Sequence, residues 1–453
     1  MSEQQARKIE KLDDHREEST LIQKIKDSYD VDGLHVEQKP DGQWVMRKEG
    51  HAQGVKDLTE VENFPEKSKA QTNAFKDYEK AYLDKWALAK PEILRLVSAT
   101  AVANCFDGHP VWLVIYGKSG CGKTEVLRSW NRLPVCYGNS KPREQAWTCG
   151  RCDPTNGPGH QEVIEMDGKM VILTDTARIR TSDNDQQSAV LGTLVELADC
   201  NVTNSWGSGL TIDIDTKFGM IIVATRDSLK SWQKLLNILG NRLMFFFLPE
   251  HPDSKAYAKK NEPNITAIRN DLRDRFHTWW NLLEYMPPEE NMIPLDSEID
   301  QTIDLLADIN VFLRVDPPLD SSGNPTQEDN DPVAPTRSML YLQKMGKGLA
   351  IVDGRSMVNE EDSRILWEVV LSSTTDWRKR EVFRALCESE DPLPVGKLQT
   401  LTGCSDSQVR ARLAKLMNVD GMEFVKKTAS TPYHYFVPEE IRELIPNQTD
   451  TPD

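Results

Sequence analysis

Residues 117–124 have the residue types and spacing of a phosphate-binding loop. They read Gly-Lys-Ser-Gly-Cys-Gly-Lys-Thr and follow an apolar run, Val111–Tyr116, with the length of a buried strand. Glycines here let successive backbone N–H groups point at one anion, and a helix beginning after the loop adds the positive end of its dipole. Lys123 would reach the β- and γ-phosphates of a nucleotide, and the Thr124 hydroxyl would bind Mg²⁺. The alternative is a chance glycine turn between a strand and a helix.

The sequence therefore predicts that the chain binds ATP with Mg²⁺. The predicted nucleotide contacts are, in chain order, Gly117, Ser119, Gly120, Cys121, Gly122, Lys123, Thr124 and Glu125.

A second strand should end in a carboxylate beside this loop. Met170–Leu173 is apolar, and Asp175 follows it, placed to hold a Mg²⁺-bound water. The alternative reading of Asp175 is a solvated strand end. Thr176 comes next, where many such ATPases carry a glutamate that orients the attacking water. Either Glu196 or Asp199 replaces that base, or hydrolysis is slow and the nucleotide acts as a switch.

A third apolar strand, over 218–224, ends at Thr225. Its hydroxyl has the position of a sensor that hydrogen-bonds the γ-phosphate or the attacking water.

Cysteines between the loop and the second strand could hold a metal. Two of them form a Cys-x-x-Cys pair, and a third cysteine and a histidine flank it. Four such ligands suit tetrahedral Zn²⁺, whereas the alternative is a flexible loop with free thiols. The candidate Zn²⁺ ligands are Cys136, Cys149, Cys152 and His160.

The region from Asp376 reads as three helices and a hairpin, the pattern of a winged-helix module. Ser405 is a plausible N-cap, and the helix after it has an apolar stripe on its inner face. That helix has the arrangement of a DNA-recognition helix, although a role in protein contact or as a passive lid fits equally. Its outward-facing side chains are Gln408, Arg410, Arg412 and Lys415.

Composition excludes some classes of protein. The 453 residues carry a formal charge of −16, so any nucleic-acid contact must come from a local basic patch. No apolar run approaches the roughly 20 residues that span a bilayer, so no membrane contact is expected. Eight scattered cysteines without a signal sequence predict a cytoplasmic location.

The elements that must position these residues alternate between apolar runs and helical patterns. Such alternation predicts an α/β fold with a parallel sheet and flanking helices. Before the loop, 33–47 reads as a hairpin, and 75–105 as helix split at Pro91.

From residue 85 to 371, this order of motifs resembles the AAA+ ATPases. It is similar to the minichromosome-maintenance (MCM) helicases and to the helicase-like ATPases of phages and mobile elements. The resemblance rests on the loop, the Asp175 strand, an apparent hairpin over 201–215, the Thr225 strand and Asn241-Arg242-Leu243. It implies that Arg242 is an arginine finger reaching a neighbouring subunit, and that Arg337 is the second-sensor arginine of a helical lid. It also implies a homo-oligomeric ring.

The predicted domains follow from this resemblance. They are an N-terminal arm with a small hairpin (1–75), an AAA+ core (76–264), a helical lid region with an acidic loop at 316–335 (265–375) and a winged helix (376–446). The predicted function is an ATP-hydrolysing protein acting on DNA, as a helicase or replication initiator of a phage or mobile element. The alternative is a nucleotide-dependent oligomeric switch or adaptor with little hydrolysis, which Thr176 favours.

Overall fold

The computed structural model describes residues 23, 26, 34–39, 43–48, 64–138, 147–148, 151–153, 157–174, 192–231, 242–284, 293–315, 334–374, 376–419, 424–429 and 433–443. The chain divides into two compact units. The first contains residues 1–56, 108–110 and 134–220, and the second contains 57–107, 111–133 and 221–453.

The strands and helices of the described residues have the following bounds. The strands are β1 Leu34–Gln38, β2 Trp44–Lys48, β3 Trp112–Tyr116, β4 Cys136–Gly138, β5 Cys152–Asp153, β6 Gly157–Pro158, β7 Met170–Leu173, β8 Asn201–Trp206, β9 Leu210–Asp215, β10 Gly219–Ala224, β11 Leu243–Phe247, β12 Leu393–Pro394, β13 Lys426–Lys427 and β14 His434–Phe436. The helices are α1 Phe64–Leu83, α2 Ile93–Ala103, α3 Lys123–Arg128, α4 Glu162–Met166, α5 Arg226–Ser231, α6 Ser254–Asn261, α7 Ile265–Glu284, α8 Ser297–Arg314, α9 Thr336–Val352, α10 Glu360–Leu371, α11 Trp377–Cys387, α12 Val395–Thr402, α13 Asp406–Met417 and α14 Glu439–Arg442. Residues 192–198 are also helical. Among these described helices, none combines the length and apolarity needed to cross a bilayer.

The first unit contains a four-stranded sheet with the order β1-β2-β9-β8. The β1–β2 and β8–β9 pairs are antiparallel hairpins, whereas β2 lies parallel to β9. Burial alternates along β1, β8 and β9, as expected for strands with one covered face, whereas Trp44, Val45 and Met46 of β2 are all buried. Lys48, at the end of β2, is 3% exposed and forms a 2.7 Å ion pair with Asp167. The N-terminal hairpin is therefore an integral part of this sheet.

Parallel strands occur in both units. In the first unit β7 pairs in parallel with β4, and the start of β10 lies next to β7. In the second unit the order is β11-β3-β10, and β11 is parallel to β3. Every residue of β3, β7 and β10 is buried, which is typical of parallel strands covered by helices on both faces. The chain thus has the predicted α/β class with a parallel sheet.

Two helices of the second unit pack with unusually close backbones. On α9, a Cβ added to Gly348 would lie 2.5 Å from the carbonyl oxygen of Ala99 on α2. Lys344, one turn earlier on α9, donates a hydrogen bond to the carbonyl of Asp107, which follows α2. Later residues of α9 therefore meet earlier residues of α2, and the two helices are antiparallel.

The C-terminal part of the second unit has the elements that the sequence predicts. Helices α11, α12 and α13 pack on one another, and β12, β14 and β13 form a small antiparallel sheet. Ser405 caps α13 in a capping box with Gln408, as its position before the apolar stripe predicts. Val409, Leu413 and Leu416 of that stripe are buried.

Most predicted element positions are confirmed, whereas the predicted division into four domains stays a prediction. Segment 1–75, predicted as one arm, contributes its hairpin to the first unit and part of α1 to the second. Segment 76–264, predicted as one core, is also shared between the two units. The predicted loop at 316–335 lies outside the described residues except for its last two. Pairing of β2 with β9 joins residues far apart in sequence, and local patterns do not report such pairing.

Candidate functional site

The loop after β3 has the backbone that a phosphate-binding loop needs. Gly120 and Gly122 have φ angles of +84° and +95°, a region that residues with a Cβ rarely adopt. Gly117 has no room for a side chain, since a Cβ there would lie 2.1 Å from the carbonyl oxygen of Leu248. Each of these three positions thus requires glycine for a structural reason that the sequence pattern alone does not give.

Lys123 is the first residue of α3 and folds back over the loop. Its ammonium nitrogen lies 3.0 Å from the carbonyl oxygen of Gly117 and 2.5 Å from that of Lys118. The side chain is 6% exposed, so the charge is held within the curve of the loop. A cation held at this place is suited to meet the phosphates of a nucleotide.

The other loop residues differ in their surroundings. Ser119 and Gly120 are exposed, and Thr124 is half-buried. The Cys121 thiol is buried and lies 3.5 Å from the Lys123 nitrogen. The exposed atoms of the loop leave its outer face accessible to a ligand.

Glu125 is held by two arginines. Its carboxylate accepts a 2.6 Å hydrogen bond from Arg128 on the next turn and further bonds from Arg269 on α7. Arg269 is 144 residues away in sequence, and no local pattern points to it. The Glu125 side chain therefore anchors α3 to α7, and any nucleotide contact it makes would come from its backbone N–H.

Thr225 follows β10, the neighbour of β3 on the side away from β11. Its hydroxyl accepts a hydrogen bond from the backbone N–H of Ser228 at 3.2 Å and lies 2.9 Å from the Ser228 hydroxyl. Thr225 thus caps α5 from the end of a strand next to the P-loop strand. A sensor role for it stays a prediction.

Arg242 and Arg337 are not brought to the loop within this chain. Arg242 directly precedes β11, whose first residue pairs with Trp112 at the start of β3, whereas the loop follows the other end. Arg337 lies in the first turn of α9, seven residues before Lys344, which contacts the chain on the amino side of β3. That turn lies about 10 Å from Lys344 along the helix axis. A role of Arg242 at a phosphate would therefore require a second subunit, and the second-sensor role of Arg337 stays a prediction.

Asp175 lies outside the described residues, so its predicted contact with Mg²⁺ stays a prediction. Thr124, the other predicted Mg²⁺ ligand, directly follows Lys123 in α3. Glu196, suggested as a substitute base, lies in the first unit, and burial raises the pKa of its carboxyl group.

The zinc prediction rests partly on residues outside the described part of the chain. Cys149 lies outside it, and of Cys152 only the backbone is described, in a two-stranded pairing of β5 with β6. The pKa of the Cys136 thiol is raised to about 12 by burial, and the His160 imidazole lies 3.3 Å from Glu165. Across the described ranges no group of three or more potential ligands is found, so nothing described supports Zn²⁺.

The predicted recognition helix, α13, carries side chains that are already engaged. Arg410 forms a bidentate pair with Asp406 on the preceding turn, and Arg412 lies 2.9 Å from Asp376. The Gln408 amide oxygen accepts a bond from the Ser405 N–H. Lys415 is half-buried. Nucleic acid would have to compete with these internal partners for α13.

Comparison with known proteins adds little to this geometry. No protein family matches the sequence, and no curated protein matches it. Among solved structures, the chain is similar to a crystal structure from Cytophaga hutchinsonii, described as a "putative ATPase", at 13% sequence identity and a TM-score of 0.39. The match covers 68% of this chain and 88% of that one. A likeness this distant carries no argument about activity, so the site rests on its own geometry.

Proposed function

We propose that the chain is an ATPase that binds ATP with Mg²⁺ at residues 117–124. The observation that carries the proposal is the placement of Lys123, buried in the curve of a glycine loop between a parallel strand and a helix. Burying an ammonium group costs free energy unless it is paired, and among the described residues its partners are two carbonyl oxygens and the Cys121 sulfur, none of which is a carboxylate. A triphosphate would supply the opposite charge.

We further propose that the ATPase acts on DNA, as a ring-forming helicase or replication initiator of a phage or mobile element. The support is the motif resemblance, together with the β8–β9 hairpin and the helix-rich module of α11–α13. The position of Arg242 at the far edge of the sheet supports a finger that acts in a neighbouring subunit.

The second candidate is an oligomeric switch or adaptor with little hydrolysis. The observation that favours it is the internal pairing of Arg410 with Asp406 and of Arg412 with Asp376. Because these charges are already neutralised, α13 offers less to phosphates than its sequence indicates. On this alternative, ATP would assemble the oligomer and turnover would be incidental.

The test compares Lys123→Ala with Lys118→Ala, an exposed lysine of the same loop that lies 3.4 Å from Glu250. Binding of a fluorescent ATP analogue and steady-state ATP hydrolysis are measured for each, with and without single-stranded DNA. We expect Lys123→Ala to lower turnover on the order of 100-fold, because it removes the charge opposite the phosphates. Lys118→Ala should stay close to wild type.

The outcomes separate the candidates. DNA-stimulated turnover that Lys123→Ala abolishes supports the motor. ATP binding without turnover excludes the motor and supports the switch. A wild-type chain that binds no ATP would overturn both.

A further inference from the structure

Two arginines lie against one aromatic ring at the edge where the phosphate loop begins. The guanidinium carbon of Arg226 lies 4.4 Å from the centroid of the Phe247 ring, and that of Arg380 lies 4.3 Å from the same centroid. Arg226 directly follows the predicted sensor Thr225, and Arg380 lies on α11.

The strand order fixes where the Arg226 side chain runs. Arg226 follows β10 and Phe247 ends β11, and β3 lies between these strands. Neighbouring strands lie about 4.8 Å apart, so β10 and β11 are separated by roughly 10 Å. The Arg226 side chain therefore reaches across the carboxyl end of β3, where the loop starts at Gly117. The carbonyl group of Leu248, the residue after Phe247, packs against Gly117.

The two arginines differ in their partners. Arg380 is 5% exposed and donates to the Glu381 carboxylate at 2.9 Å. Arg226 has no carboxylate partner within the described ranges, and its buried Nε atom has no hydrogen-bond partner there. Burial and then the neighbouring Arg380 lower the pKa of Arg226, and Tyr116 and Glu381 oppose this effect in part. Arg380 thus pairs directly with a carboxylate, whereas Arg226 has no such direct ion pair within the described ranges.

The cation–π attraction of the Phe247 ring does not by itself explain why two guanidinium groups contact that ring. One guanidinium already gains the cation–π attraction, which is worth about 1–2 kcal/mol when partly desolvated. A second one on the same ring adds repulsion, because the two charges lie closer than the Debye length of about 10 Å. An anion arriving beside the loop would relieve this repulsion.

We propose that Arg226 binds the terminal phosphate of the triphosphate in the same chain, and so distinguishes ATP from ADP. This inference rests on the proposed nucleotide site. Phe247 holds the guanidinium of Arg226 near the start of the loop, and Arg380 joins the same ring to α11. Arg226 adds a second positive charge at the γ-phosphate, which Lys123 would reach from within the loop.

The test measures the affinity of Arg226→Ala and Arg226→Lys for fluorescent ATP and ADP analogues. Two controls are Arg275→Ala, which removes an exposed ion pair on α7, and Arg380→Ala, which removes the other cation from the same ring. We expect Arg226→Ala to weaken ATP binding about 10- to 100-fold, the worth of a charged hydrogen bond, and ADP binding less than about 3-fold. Arg226→Lys should weaken ATP binding less than Arg226→Ala does. Both controls should keep the wild-type ratio of ATP to ADP affinity.

The failures are distinguishable. If the wild-type chain binds neither nucleotide, the proposed function fails. If it binds both and Arg226→Ala loses ATP and ADP affinity equally, or loses neither, the assignment of Arg226 is overturned. Equal loss of the ATP preference in Arg226→Ala and Arg380→Ala would show a structural role of the ring stack, and would also overturn it. Should Arg226→Ala not reach the wild-type circular dichroism spectrum, Arg226→Lys decides the question.

Discussion

At the residue scale, the glycines of the loop serve two different purposes. Gly120 and Gly122 supply a left-handed backbone, whereas Gly117 lies where the next strand leaves no space. The first requirement concerns backbone strain, because a left-handed conformation costs a residue with a Cβ about 1–2 kcal/mol of free energy. The second is a clash with the Leu248 backbone, which cannot move without shifting the end of β11. Among the three loop glycines, Gly117 is therefore the position where an added methyl group should lower the free energy of unfolding most.

We expect Gly117→Ala to lower the free energy of unfolding by about 3 kcal/mol or more, because the new Cβ would overlap a backbone oxygen. The matched control is Gly396→Ala in α12, where a Cβ meets no atom within 4 Å. That change should stabilise the chain by about 0.5–1 kcal/mol, since it restricts the unfolded state. Urea unfolding of both variants measures the difference. Equal stability of the two would contradict the close approach of Leu248 to Gly117.

The sequence could predict the residues that act through their neighbours in the chain. Lys123 and the loop glycines belong to one short segment, and the residue types and spacing of that segment predict phosphate binding. Arg226, Arg269 and Arg380 gain their surroundings only when distant elements meet, as Glu125 and Arg269 do across 144 residues. A lone arginine carries no signal of such a meeting, so these residues were found only in the folded chain.

At the element scale, one buried carboxylate connects three segments of the second unit. Glu368 on α10 accepts bonds from Lys90, which precedes α2, and from Arg384 on α11. Burial alone would raise the pKa of Glu368, but the two cations more than offset this effect and lower it to about 2. Glu368 therefore links the helix before the C-terminal module to that module's first helix.

This pKa predicts how stability depends on pH. Because the folded pKa of Glu368 lies below its ordinary value of 4.5, the stabilisation is present above pH 4.5 and is lost as pH falls towards 2. We expect Glu368→Gln to lower the free energy of unfolding by about 3 kcal/mol at pH 7, and by progressively less in acid. Urea unfolding between pH 7 and pH 3 measures this.

The control is Glu360→Gln on the same helix, where the carboxylate is exposed and lies 3.7 Å from Arg364. It should change stability by less than about 0.5 kcal/mol. A Glu368→Gln effect that stays constant with pH would contradict the ion-pair explanation.

Elements with a clear period were predictable, whereas their pairing was not. The strand over 170–173 has the bounds that its apolar pattern predicts. Pro91 lies two residues before α2, but α1 already ends at Leu83, so the helix is not split at Pro91 as predicted. No pattern in β2 shows that it lies parallel to β9, because strand register depends on the partner as much as on the strand.

At the scale of the whole molecule, the phosphate loop and the predicted arginine finger lie at opposite ends of β3. The loop lies at the carboxyl end, and Arg242 lies at the amino end of the neighbouring β11. Five strand residues span roughly 17 Å, beyond the reach of an arginine side chain. An Arg242 that touches a nucleotide must therefore touch one bound to another copy of the chain.

This arrangement predicts complementation between inactive variants. We expect Lys123→Ala and Arg242→Ala each to hydrolyse ATP poorly, and a mixture of the two to recover part of the activity. Recovery arises because a mixed interface can pair an intact loop from one chain with an intact arginine from the other. Steady-state hydrolysis of mixtures at several ratios measures the effect, and light scattering reports assembly. A mixture with only the summed activity of its components would count against the finger.

The parallel pairing of β2 with β9 has a consequence for how the chain folds during synthesis. Lys48 ends up bound to Asp167 and to the carbonyl of Asp215, a partner 167 residues later. At 5–20 residues per second, β2 leaves the ribosome roughly 10–30 s before that partner exists. For this interval β2 lacks the strand that later pairs with it, and the Lys48 ammonium group stays in water. The charge that the finished fold buries is therefore desolvated only after β9 has been made.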